Sequence, residues 1–84
     1  MSQQRLGFLG IIVEDRKKSA DAVNHILTDY GDQIIARMGI PHREKDRSII
    51  TLIIDMTTDQ LGALTGKLGS VEGITVKSAL SKLT

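Results

Sequence analysis

The chain has 84 residues, a formal net charge of +1, ordinary shares of hydrophobic (40%) and charged (25%) residues, and no cysteine. That length fits a single domain, taken as residues 1–84, whose small core leaves a thin stability margin. The near-neutral charge excludes the strongly basic footprint of a nucleic-acid binder, and the missing thiols exclude disulfides and thiolate zinc sites.

The apolar run from Leu6 to Val13 is interrupted by glycines and lacks a small-residue cleavage site. It is a poor signal peptide and too short to span a membrane. A cytoplasmic chain without membrane attachment is expected. The same run is the first predicted strand, Arg5 to Val13, with apolar side chains on both alternating faces. Glu14-Asp15-Arg16-Lys17-Lys18 reads as a charged loop, with Asp15 or Ser19 able to cap the helix that follows. Ala20, Val23, Ile26, Leu27 and Tyr30 form that helix's apolar stripe, and Gly31 stops it.

Ile34 to Ile40 is the second strand, with Ile34, Ala36, Met38 and Ile40 on one face. Pro41 to Arg47 is a polar hairpin, with Pro41 placed at a strand end or edge because it lacks an N–H. Ser48 to Met56 is the third strand. Ile50, Leu52, Ile54 and Met56 share one face, and Ile49, Thr51 and Ile53 the other. Thr57 and Gln60 have capping-box spacing before a second helix striped by Leu61, Leu64 and Leu68 and ended by Gly69. Ile74 to Leu80 is the last strand, and Ser81 to Thr84 is a frayed tail.

The order β-α-β-β-α-β is the split pattern of α+β ferredoxin-like domains. Right-handed crossovers put both helices on one face of a four-stranded antiparallel sheet. The first and third strands are apolar on the other face too. An exposed patch of that kind marks an interface, so a homo-oligomer, dimer or tetramer, is expected through the helix-free face or the sheet edges.

Chemistry-bearing residues are sparse. His25 and His42 have no second histidine at ligand spacing, so no metal and no cofactor is expected. No nucleophile with a base in reach is recognisable, so the chain does not read as an enzyme. Gly66-Lys67 is followed by Leu68 and lacks the phosphate-loop pattern. Gly62, Gly66 and Gly69 fall on one side of the second helix, within about 60° of one another. Each glycine costs about 1 kcal/mol against alanine there, which calls for a reason. The strip either packs closely against the first helix or another subunit, or offers a ligand a bare surface. The basic residues 16–18 and Arg37, Arg43, Lys45 and Arg47 around the hairpin are either a solvated face or a site where Arg16 or Arg43 receives a carboxylate or phosphate.

Leu9-Gly-Ile-Ile-Val-Glu-Asp15, Arg37-Met-Gly-Ile-Pro-His-Arg-Glu44 and Gly62-Ala-Leu-Thr-Gly-Lys-Leu-Gly69 resemble the regulators of the iron-only hydrogenase system. The resemblance spans nearly the whole chain. That family is similar to ACT domains and to the C-terminal domain of the nickel-responsive repressor. The ACT resemblance implies a small-ligand site near the loop after the first strand, which adds Glu14 and Asp15 to Arg16. The repressor resemblance puts Gly39, Pro41 and Arg47 where that protein carries metal ligands, and none of these can replace them. The resulting expectation is an ACT-like, non-catalytic regulatory module that senses a small ligand or docks on a protein partner. The alternative is an assembly protein with no small-molecule ligand.

Overall fold

The computed structural model describes residues 3–42 and 46–82. The elements run β1 (Arg5–Val13), α1 (Arg16–Asp29), β2 (Ile34–His42), β3 (Arg47–Met56), α2 (Thr58–Gly69) and β4 (Ile74–Leu80), with a short 3-10 turn at Gly31–Gln33. All strand pairs are antiparallel, in the order β2-β3-β1-β4. β1 and β3 are therefore central, and β2 and β4 are edges. This is the expected ferredoxin-like α+β arrangement.

One core joins sheet and helices. Leu9, Ile11 and Val13 of β1 and Ile50, Leu52, Ile54 and Met56 of β3 meet Val23 and Leu27 of α1 and Leu64 and Leu68 of α2. The period-2 spacing in the strands and the three- and four-residue spacing in the helices produce this single layer contact. Each buried leucine or isoleucine contributes about 1.5–3 kcal/mol.

Of the two caps the sequence offers for α1, Asp15 is the one used, and the Thr57–Gln60 capping box of α2 is present. The Asp15 carboxylate accepts from the Lys18 N–H at 3.3 Å. Thr57 Oγ1 accepts from the Gln60 N–H at 3.1 Å, and Gln60 Oε1 accepts from the Thr57 N–H at 2.8 Å.

Four local expectations are corrected. Arg16, Lys17 and Lys18 belong to α1, not to a loop, because Asp15 caps the helix immediately before them. β2 extends through Pro41 to His42, which an edge strand permits for a residue without an N–H. A bulge between Ile34 and Ala36 breaks the even alternation expected there. Ile34 faces Ile54 on the helix side, whereas Ala36, Met38 and Ile40 face Ile53, Thr51 and Ile49 on the open side. The tail is not frayed at its start, since the Ser81 N–H donates to the Leu6 carbonyl at 2.7 Å. Leu83 and Thr84 lie outside the described residues, as do Arg43, Glu44 and Lys45 of the hairpin.

Gly7 lets β4 lie close to β1. A Cβ there would stand 2.4 Å from the Ala79 carbonyl oxygen and 2.7 Å from Leu80 Cδ2. The clash is with backbone, so β4 would have to move. Gly7→Ala is expected to destabilise the fold by about 1–3 kcal/mol, read as a lower denaturation midpoint. An unchanged midpoint would show that β4 is not held this tightly.

Candidate functional site

The described residues offer three surfaces on which function could be built. The first is the helix-free sheet face. Leu6, Phe8 and Ile12 of β1, Met38 and Ile40 of β2, and Ile49 and Ile53 of β3 are all large, apolar and exposed on it. Phe8 is 55% exposed and Met38 64%, values far from those of core residues. Register brings them together: Ala36, Ile53, Phe8 and Ala79 form one row across the sheet, and Ile40, Ile49, Ile12 and Thr75 form another. At the upper rim, Glu14 and Arg47 pair at 2.9 Å beside His42, bordering an apolar hollow of about 440 Å³.

The second is a charged corner where β1 hands over to α1. The Glu14 N–H donates to the Gly73 carbonyl at 2.9 Å, and Ser19 Oγ donates to the Glu72 carbonyl at 2.8 Å. Gly73 has a φ of 77°, which glycine adopts without strain. The Arg16 N–H, left free by the start of the helix, donates to the Asp46 carbonyl at 2.8 Å, so the β2–β3 hairpin docks on α1. Lys17 pairs with Asp46 at 3.5 Å and Lys18 with Glu72 at 2.8 Å.

The third is a groove on the helix side of the sheet, between α1 and β2. Arg16, Ala20 and Asn24 line one wall, and Arg37, Gly39 and Pro41 the other.

These positions separate the residues that the sequence grouped. Asp15 serves as the helix cap, and Glu14 pairs with Arg47 on the rim of the open face. Arg16 alone turns to the groove, where it is joined by Arg37 from mid-strand. Arg43 lies outside the described residues. The sequence placed Arg37 with the hairpin cations. A signal for its true neighbours was present, since Arg16, Ala20 and Asn24 recur every fourth residue. What was missing was the bulge that turns Arg37 toward them.

The glycine strip is open on α2. A Cβ at Gly62, Gly66 or Gly69 would meet nothing within 4 Å. Close packing against α1 is therefore not its role; contact with another subunit or a ligand is what remains of that expectation. Among the described residues, no group of three or more His, Cys, Asp or Glu is placed to hold a metal ion. No helix among them is long and apolar enough to cross a membrane.

Residues 5–78 match the TM1266-like family, which bears the provisional description of iron-only hydrogenase system regulator. The chain belongs to this family. It is similar to the solved protein TM1266 of Thermotoga maritima, at 40% identity and a TM-score of 0.90, over 95% of this chain and 100% of that one. It also resembles the ACT domain of the GTP pyrophosphokinase of Chlorobium tepidum, at 23% identity and a TM-score of 0.72, over 92% of this chain and 100% of that one. A nitrogen regulatory PII-like protein of Thiomonas intermedia shares the fold at 15% identity and a TM-score of 0.52, over 90% of this chain and 89% of that one. No curated protein matches the chain. Family membership supports a regulatory role, and the ACT likeness establishes the fold.

The Lys18–Glu72 pair sets a pH window. Its hydrogen bond and charge attraction lower the Glu72 pKa from the ordinary 4.5 and raise that of Lys18 from 10.5. A lowered carboxylate pKa stabilises the fold above the unfolded value, and that stabilisation disappears as pH falls through the folded value. A raised lysine pKa stabilises below the unfolded value, and is lost as pH climbs through the folded one. The difference in melting temperature between the native chain and Glu72→Gln is thus expected to be flat from pH 4.5 to 10.5 and to vanish on both sides. Both groups are exposed, so the plateau is small and shrinks with salt. A difference that does not depend on pH would contradict the pairing.

Proposed function

We propose that the chain is a non-catalytic regulatory module that works as a homo-oligomer joined through the helix-free sheet face and responds to a small ligand. The observation that carries the oligomer is the apolar face itself. Seven large apolar side chains from three adjacent strands lie exposed together on it. A contiguous exposed apolar patch with polar residues around it marks an interaction surface.

A second copy of the chain suits this face better than a different partner. The apolar rows carry no charge, and Lys77 and Asp55 sit at separate places on the same side of the sheet. Two identical faces can therefore meet without opposing like charges. A small domain also gains the stability that its own core is too small to supply. The regulatory part of the proposal is supported by membership of the TM1266-like family and by the ACT-like fold. Ligand response follows the same likeness, with the groove beside α1 as the place for it.

Ile53 lies between Ala36 and Phe8 in the middle of the face. Ile53→Glu is expected to lower the mass measured by light scattering toward the 9.2 kDa of one chain. Lys82→Glu, beyond the end of β4, is expected to keep the native mass. If Ile53→Glu assembles like the native chain, the open face is not the interface.

A further inference from the structure

The groove between α1 and β2 has a volume of about 240 Å³ and a pattern of its own. Ala20 and Gly39 leave its middle open. A Cβ at Gly39 would reach 3.8 Å from Ile50 Cγ1, an ordinary contact, so any longer side chain would grow into the space. Val13 and Ile50 give it an apolar floor.

Its two ends are cationic. β1 and β2 both run antiparallel to β3, and α1 returns against them. Arg16 consequently stands near Pro41 at the end of β2, and Arg37 stands beside Asn24, to whose Oδ1 it donates. Arg16 and Asn24 are about 12 Å apart along the helix axis, within reach of two inward-reaching arginine side chains.

The charges here are unbalanced. Helix N-termini favour anions, yet α1 opens with Arg16, Lys17 and Lys18 and has no acidic residue in its first turn. Lys17 and Lys18 have carboxylate partners at 3.5 and 2.8 Å. Among the described residues, neither Arg16 nor Arg37 forms an ion pair. Asp15 at the N-cap, Asp46 and Glu72 answer the dipole and the two lysines, but among the described residues no carboxylate answers either groove arginine, and a charge left uncompensated in this way is characteristic of a functional site. An anion between the two guanidinium groups would supply the compensation, and each group presents paired donors to a carboxylate or phosphate.

Building on the ligand-responsive reading above, we propose that this groove binds a small organic dianion, a dicarboxylate or a phosphorylated carboxylic acid of amino-acid size. One anionic group meets Arg16, the other meets Arg37, and the hydrocarbon between them lies on Val13 and Ile50. Because the Arg16 N–H also holds the Asp46 carbonyl, an occupied groove braces α1 against the β2–β3 hairpin.

The test is calorimetry and thermal shift on the full chain with malonate, succinate, glutarate, adipate and phosphoglycolate. Acetate and inorganic phosphate serve as single-headed controls, and the neutral and zwitterionic amino acids as a second class. At least one two-headed anion is expected to bind, more weakly as salt is raised. Arg16→Gln and Arg37→Gln, each verified as folded by circular dichroism, are expected to weaken it by about tenfold or more, the loss of a charge-assisted pair. Lys82→Gln, beyond the end of β4, is expected to leave it unchanged. Undiminished binding in both arginine variants overturns the groove as the site and leaves the ligand-responsive reading standing. A response confined to the amino acids overturns the dianion class while that reading stands. No response to any compound overturns both.

Discussion

A strand that is apolar on both faces must be covered on both faces, and this chain covers only one. β1 and β3 are the central strands, and α1 and α2 lie over the same side of them. On that side the alternate residues Leu9, Leu52 and Ile54 are fully buried. On the other side Phe8, Ile49 and Ile53 remain in water. Everything else in the fold is arranged around the covered side: the helices are capped, the crossovers are short, and the core is one continuous layer. The uncovered side is the part of the structure that asks for another molecule.

The charged corner shows how the covered side is fixed in place. α1, the β2–β3 hairpin and the turn before β4 converge there through main-chain bonds at Arg16 and Glu14 and through the Ser19 hydroxyl on the Glu72 carbonyl. Backbone groups, which have little freedom, hold the geometry, while Lys17, Lys18 and Arg47 pair with carboxylates at the surface of this corner. Arg16, which faces the groove, forms no ion pair among the described residues. A regulatory module needs a place where binding changes the balance between a few elements. The groove lies where α1 and the hairpin meet, so an occupant would bear on both.

Much of the fold was legible in the residues. Strict alternation in β3 and the capping box at Thr57 and Gln60 read directly from spacing, and the cap of α1 was narrowed to Asp15 or Ser19. The bulge at Ile34 and Ala36 did not, because β2 is apolar in both phases at its start and so offers no contrast to reveal a slip. The start of α1 was misread because three cations at a helix N-terminus oppose the dipole. Site residues were less legible still. Glu14, Asp15 and Arg16 are neighbours in sequence, but a strand end and a helix start send them to three different environments. Arg16 and Arg37 face one groove only because α1 packs beside β2 and the bulge sets the phase of that strand. Spacing showed that the glycines of α2 share a side, but not that the side is open.

The central claim is that the helix-free sheet face is buried between copies of this chain. Sedimentation equilibrium of the native protein across micromolar concentrations tests it most directly. The account predicts a mass that is an integral multiple, two or more, of 9.2 kDa. A mass of 9.2 kDa that persists as concentration rises would mean that the apolar face stays in water, and would contradict it.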